Sequence, residues 1–494
     1  MHVNKSLKVA LLFSAMGDYS VQLLGFVSIM IVARLLSPNE VGVFAVAGST
    51  MVIAIELSSF GVGQFLIREK NINEDMVRSV LGMAVMVSWG LGILLVLAAP
   101  YIADFYDKAA VKNLLWILSI SFFLMPFFSI PVALWKREML FGKVSILKLT
   151  GQLVTTVSSI SLILQGFSYY GLAIGAAMGM IARLTVAMLL KPPGTVWIPR
   201  FTLVNNLLRF GVLASLTNVF VRFSEGIPDL VIGKVSSMAD VGYFSRGLGA
   251  VLFLNKILVS AVASVVLPHL ADIKRAGGSV ADAYLRSVKL LLAFTLPVFA
   301  VAGAASYPMI IGLFGDQWGA AVPIASILAI WIMIVSVHSF SASAFIVSGG
   351  EKLMFVTALI NAVSRLVLVL LAASHGLEMV AWGIVLSGVI ELCVNTLALK
   401  RTIGMKITKL VAAVLPNLFI AFGCWLATVL IDRMVIFKEV SPYQSIAIIA
   451  ICLPIVWMFL LRITRHEAWD LIWDILSNIK KRVLIKVFGP SAHE

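Results

Sequence analysis

Arg222, Glu225 and Asp229 stand on a stretch that is otherwise apolar, spaced i, i+3 and i+7, so that a helix presents them on one face. Further ionisable residues interrupt other apolar stretches: Arg246 and Lys256 follow on the next one, Arg183 and Arg365 lie before and after, and the acids are Asp18, Glu56 and Glu391. In hydrocarbon such groups are costly without a partner or water, so they are the candidate site residues. The chemistry open to them is non-covalent. A guanidinium forks onto the oxygens of an anion and an ammonium acts as a point charge, while the carboxylates can balance those cations or carry a coupling proton or sodium ion. A plainer reading stands beside this one. Arg222–Glu225 can be an intrahelical pair, Glu56–Lys256 a structural bridge, and Arg183 can snorkel to an interface. His338 and His375 read as satisfied or loop histidines. No metal-ligand spacing, nucleophile elbow or nucleotide-binding loop is present, so no cofactor is expected.

The elements that must hold these charges follow from composition. Of 494 residues 61% are hydrophobic and only 13% charged, with mean hydropathy +1.03, whereas soluble domains carry roughly 25% charged residues. Apolar stretches of about 20 residues follow one another along the chain, each able to cross about 30 Å of hydrocarbon. The fold class is therefore an all-α polytopic membrane protein with about fourteen transmembrane helices. The net charge of +14 is topological and not a nucleic-acid footprint. Most Lys and Arg fall on the N-terminus, the even-numbered loops and the tail, against Lys108, Lys112, Lys234, Arg433 and Lys438 on the odd loops. The positive-inside rule then puts both termini in the cytoplasm. Cys393, Cys424 and Cys452 sit within spans and imply no disulfide framework. The first apolar run has no cleavage site and is expected to stay attached.

The chain also repeats itself. "ARLLSPNEVGVFAV" (Ala33 to Val46) returns two hundred residues later as "GKVSSMADVGYFSR", so that Ser37, Glu40, Gly42 and Phe44 match Ser237, Asp240, Gly242 and Phe244. In each copy the serine is expected to cap the next helix, the acid to complement its N-terminus, and the glycine to permit close packing. "YGLAIGAA" and "HGLEMVAW", then "REMLF" and "GEKLMF", recur in the same order. This divides the chain into a unit over 1–190, a linker over 191–204, a second six-helix unit over 205–400, two extra helices over 401–462 and a tail over 463–494. Two parallel six-helix units with short loops are the plan of a transporter that rocks around a central path. At the repeat offset Asp18 meets Asn218, Gln22 meets Arg222, Gly25 meets Glu225 and Glu56 meets Lys256, so both faces are polar and the second is richer in charge. In the tail, Trp469, Ile472, Trp473, Leu476, Ile479 and Val483 beside Lys480, Lys481, Arg482 and Lys486 read as an amphipathic interfacial helix.

"ARLLSPNEVGVFAV", "SSFGVGQFLIRE", "VGYFSRG" and "LFGDQWGAAVPIASIL" together resemble the polysaccharide transport family, the Wzx-type flippases of the MOP superfamily. The resemblance implies a fourteen-helix MOP fold and an undecaprenyl-diphosphate-linked oligosaccharide as substrate, flipped from the cytoplasmic to the periplasmic leaflet of a bacterial inner membrane. It also implies polymerase and export proteins as possible partners. Under it, Arg222, Lys256, Arg365, Arg246 and Arg183 suit the diphosphate, and Asp18, Glu56, Glu225, Asp229 and Glu391 become cavity or coupling acids. Two rivals remain: a drug exporter of the same superfamily, which wants an acid-lined pocket, and a membrane polymerase or ligase, which wants a large periplasmic loop.

Overall fold

The computed structural model describes residues 2–58, 62–69, 71–201 and 205–474, which form helices joined by short turns and loops and contain no strand. In chain order the helices are α1 (His2–Leu35), α2 (Pro38–Ser58), α3 (Val62–Arg68), α4 (Glu74–Phe105), α5 (Ala109–Arg137), α6 (Phe141–Leu162), α7 (Ser168–Leu189), α8 (Asn205–Val235) and α9 (Met238–Arg275). They continue as α10 (Val280–Ala304), α11 (Ser306–Phe314), α12 (Ala321–Ser336), α13 (Ser341–Ser348), α14 (Glu351–Ala372), α15 (Leu377–Ile403), α16 (Ile407–Val435) and α17 (Pro442–Ile463). Among the described residues 11 of these stretches are long and apolar enough to cross a membrane, or 12 if the two parts of α9 count as one. The sequence expectation is about fourteen. Two expected spans run together as Phe141–Leu189 through a π-turn at Ile163–Phe167, and α8 is not among the stretches counted.

The chain forms two compact units. One comprises Met1–Phe253, Leu313–Ile324 and Glu351–Ile390. Within it α6 packs along α7, α4 along α5, α1 along α6, α2 along α8 and α14 along α8. Small residues make these approaches possible. A Cβ on Gly175 or Gly179 of α7 would lie 2.1 Å from Ser159 Oγ or 1.9 Å from Thr155 Oγ1 of α6, the close helix contact that small residues allow. Asn73 caps α4 by accepting from the Met76 amide at 2.8 Å.

The other unit comprises Leu254–Gly312, Ala325–Gly350 and the chain from Glu391 onward. Its α10 packs against α16, and α16 against α17. At the turn between α12 and α13, buried His338 lies between Tyr284 Oη and Thr396 Oγ1, each 2.8 Å from a ring nitrogen. Thr396 donates its own hydroxyl to the Leu392 carbonyl at 2.7 Å, so it accepts from Nε2–H and leaves Nδ1 to accept from tyrosine. This histidine is satisfied, as the sequence reading expects. Past α17 the chain is helical again over 467–474, where Glu467 pairs with Lys289 at 2.8 Å and with Arg286 at 3.3 Å. Arg462 lies over the Trp469 ring, which stacks on Trp473. Leu476, Ile479, Lys480, Lys481, Arg482, Val483 and Lys486 of the expected tail helix lie outside the described residues.

Candidate functional site

In the first unit the repeated segment explains itself. Ser37 and Glu40 form a capping box at the start of α2: Ser37 donates N–H and Oγ–H to Glu40 Oε2 at 2.8 and 2.7 Å, and Glu40 N–H returns to Ser37 Oγ at 3.4 Å. Ser237 and Asp240 repeat it at the start of α9, at 3.2, 2.7 and 3.1 Å. The two starts then meet. A Cβ on Gly42 would lie 1.6 Å from the Met238 carbonyl oxygen, and one on Gly242 would lie 2.0 Å from that of Pro38. Each glycine therefore seats the other copy's carbonyl, and no other residue fits at either place.

Behind this contact is a cavity of 370 Å³. Ser28 and Val32 of α1, Phe44 and Ser49 of α2, Arg222, Glu225 and Asp229 of α8, and Ser245 and Arg246 of α9 contribute to its wall. The i, i+3, i+7 spacing on α8 thus does what it predicts and turns all three charges to one space. Arg222 Nη1 contacts Glu225 Oε2 at 2.8 Å, and its Nε lies 3.7 Å from Glu56 Oε2. With side chains 47% and 44% exposed, the Arg222–Glu225 pair is worth at most about 1 kcal/mol to stability. Asp229 Oδ2 accepts from Ser49 Oγ at 2.8 Å, while Oδ1 is buried without a hydrogen bond. Two arginines and two carboxylates line the cavity, so it is of mixed charge. The acids of that wall, Glu225 and Asp229, come from the same helix as Arg222, and Ser49 of α2 bonds one of them.

Arg246 is supported from behind by a turn that joins the same unit. Its guanidinium lies over the Trp318 ring, 5.7 Å from the centroid, and its Nε is buried without a hydrogen bond. Trp318 is wholly buried, and its Nε1–H donates to the Ala33 carbonyl at 2.8 Å. Gln317 Nε2 donates to the same carbonyl at 2.6 Å and to that of Leu36 at 3.2 Å. Both carbonyls belong to the end of α1, where a helix leaves its last acceptors unfilled. The "GDQW" run therefore caps α1 from a point nearly three hundred residues away in sequence.

The other sequence candidates fall elsewhere. Asp18 pairs with Lys148 of α6 at 2.7 Å, each close to half-exposed. Lys148 was legible only as a charge inside a span. Arg183 packs over Gly151, whose Cβ would be 2.4 Å from the arginine Nε, and it does not line the cavity. Arg365 is buried, and its Nε donates to Ser387 Oγ of α15 at 3.3 Å. Lys256, exposed on α9, and Glu391 on α15 belong to the second unit and do not line this cavity. Ser49, Gln317 and Trp318 were not singled out by charge. The "GDQW" motif was the one available signal for the last two. No metal-ligand cluster occurs among the described residues.

The membrane-length helices define a multi-pass membrane protein, and the fold is that of the MOP superfamily. It superimposes with TM-score 0.73 on a structure described as the lipid II flippase MurJ in an inward closed conformation, at 16% identity over 94% of this chain and 100% of that one. A multidrug resistance MATE family transporter of the MOP superfamily follows at TM-score 0.60, with 15% identity over 78% of this chain and 94% of that one. The chain belongs to the polysaccharide biosynthesis protein family, whose model matches residues 31–323. The resemblance carried by the motifs is thereby borne out. Relatives include the succinoglycan biosynthesis transport protein ExoT of Rhizobium meliloti (strain 1021), 26% identical over 62% of this chain. The lipopolysaccharide biosynthesis protein WzxC of Escherichia coli (strain K12) is 22% identical over 64% of it. The chain spans 62% of the length of the first and 65% of the second.

Proposed function

We propose that the protein flips an undecaprenyl-diphosphate-linked oligosaccharide repeat unit, for exopolysaccharide or O-antigen, from the cytoplasmic to the periplasmic leaflet of a bacterial inner membrane, with both termini cytoplasmic. The observation that carries the reading is a charged cavity, with arginines facing it, inside a fold shared with the lipid II flippase MurJ. A diphosphate brings about two negative charges, and moving them unpaired through hydrocarbon is prohibitive. Arg246 and Arg222 meet that anion, with Lys256, Arg365 and Arg183 as further cations along the path. Ser28, Ser49 and Ser245 offer hydroxyl partners to sugars. Two six-helix units, 1–190 and 205–400, rock about the path, and Asp18, Glu56, Glu225, Asp229 and Glu391 are the groups available to a coupling proton or sodium ion. Polymerase and export proteins of the same pathway are the partners that would take over the flipped unit.

The test is the lipid-linked oligosaccharide that accumulates when the gene is deleted. Accumulation on the cytoplasmic leaflet, cleared by the wild-type gene, is the expected result. Normal export in the deletion strain, with its second-copy functions removed, refutes the reading. One observation favours a second reading, an organic-cation exporter: the acids Glu225 and Asp229 line the cavity beside Val32 and Phe44. It predicts drug hypersensitivity in the deletion strain with unchanged lipid-linked intermediates.

A further inference from the structure

We infer that Trp318 is a positioning residue for Arg246, presenting its guanidinium to the cavity only while the end of α1 is docked on the Asp316–Trp318 turn. Grip on the anionic part of the substrate is then tied to that docking. The inference rests on the proposed reading in one respect, that an anion meets Arg246.

The geometry has two faces. On one, the single donor of the indole is spent on the Ala33 carbonyl at 2.8 Å, and Gln317 holds the Ala33 and Leu36 carbonyls at 2.6 and 3.2 Å. With no other polar atom on the side chain, this bond fixes the plane of the ring. On the other face, the guanidinium of Arg246 rests on that ring at 5.7 Å. Tyr243 meets Trp318 edge-on at 6.0 Å, and Phe314 does so at 6.5 Å. A Cβ on Gly247 would be 3.0 Å from Ile324 Cγ2 and 3.1 Å from the Ala321 carbonyl, so α9 and the start of α12 leave no room for the turn to slide.

What faces Arg246 from the cavity is incomplete. Asp229 offers a bare Oδ1, Arg246 a bare Nε, and Ser49 occupies only Asp229 Oδ2. An arginine laid on an aromatic plane, with donors left over and a carboxylate opposite, is poised to take a second anion. If α1 withdraws, the Trp318 N–H and both Gln317 bonds lose their acceptors together. The plane beneath Arg246 is then no longer fixed. The arginine would be presented in one state of the contact and released in the other.

The test uses the full chain in nanodiscs with Arg246→Ala, Trp318→Leu, Trp318→Phe and the Arg246→Ala/Trp318→Leu double variant. Two quantities are measured: the thermal midpoint without ligand, and affinity for undecaprenyl diphosphate with uncharged undecaprenol as control. Arg246→Ala should weaken undecaprenyl diphosphate binding about tenfold, the loss of one charge-assisted contact. Trp318→Leu should weaken it about three- to tenfold, the range of a cation–π contact, and leave undecaprenol unchanged. In the Arg246→Ala background, Trp318→Leu should cost no further affinity, and it should lower the midpoint by less than it does beside an intact Arg246. Trp318→Phe keeps a ring without the N–H, folds more readily, and should lie between wild type and leucine. Additive losses, or an equal loss for undecaprenol, overturn the inference and make Trp318 a packing residue. If wild type binds the two lipids equally, the diphosphate reading falls. The midpoint cycle then decides alone: coupling retains Trp318 as the support of Arg246, and additivity removes it.

Discussion

Gly42 and Gly242 give the sharpest test of how the first unit is built. A Cβ at Gly42 would stand 1.6 Å from the Met238 oxygen, where ordinary contact begins near 3.4 Å, so Gly42→Ala must part the two helix starts by roughly 1.8 Å. At Gly242 the same reasoning gives roughly 1.4 Å against the Pro38 oxygen. Both obstacles are backbone at a capped helix start, which cannot rotate away as a side chain would. Overpacking of this kind costs about 1–3 kcal/mol, here concentrated on the state in which the starts touch. Gly249 is the control: it lies on α9 with nothing within 4 Å, so Gly249→Ala gains helix propensity, about 0.5–1 kcal/mol. Thermal midpoints of the three purified variants, and labelling rates of a cysteine at Ser49 behind the contact, measure the effect. Gly42→Ala and Gly242→Ala should lower the midpoint and speed labelling, while Gly249→Ala does neither. If all three behave alike, the helix starts do not meet as described.

Three further outcomes follow from other parts of the molecule. Arg222→Ala should stop polymer export at near-normal protein levels, and adding Glu225→Ala should not restore it if Arg222 meets substrate. Recovery of export in the double variant would reduce Arg222 to a partner of Glu225 and Glu56. Glu467 lies beyond α17, and the hydrogen bond from Lys289, with the charges of Lys289 and Arg286, holds its carboxyl below the usual range. A depressed carboxylate stabilises above its unfolded pKa and is lost as pH falls through the folded value. Midpoints of wild type and Glu467→Gln should therefore differ at neutral pH and converge on acidification below about pH 4, and a constant gap would refute the pairing. Single cysteines at Asn39 and Ser441 should label from the periplasm, and one at Asn73 only after permeabilisation. Periplasmic labelling at Asn73 would invert the orientation.

Much of the first unit was legible without coordinates because its signals are local. Ser37 with Glu40 and Ser237 with Asp240 lie three residues apart, so the capping boxes follow from chain connectivity. Helical periodicity likewise turns Arg222, Glu225 and Asp229 to one side whatever they later meet. The hydropathy of the spans fixed the all-helical class, because a backbone in hydrocarbon must satisfy its own hydrogen bonds. Partners are another matter. Ser49 meets Asp229 across 180 positions and Lys148 meets Asp18 across 130. Trp318 meets Ala33 across 285. No periodicity reaches that far. Which helix lies beside which is decided by small residues that admit a backbone, such as Gly42 on Met238 and Gly175 on Ser159, and steric fit of that kind exists only once both surfaces are present. The sequence alone therefore determined that charges line one face of α8 and that a capped turn is written twice. Only the tertiary structure decided that the two turns seat one another, that α2 answers the arginine of α8 with a carboxylate, and that a distant tryptophan carries Arg246.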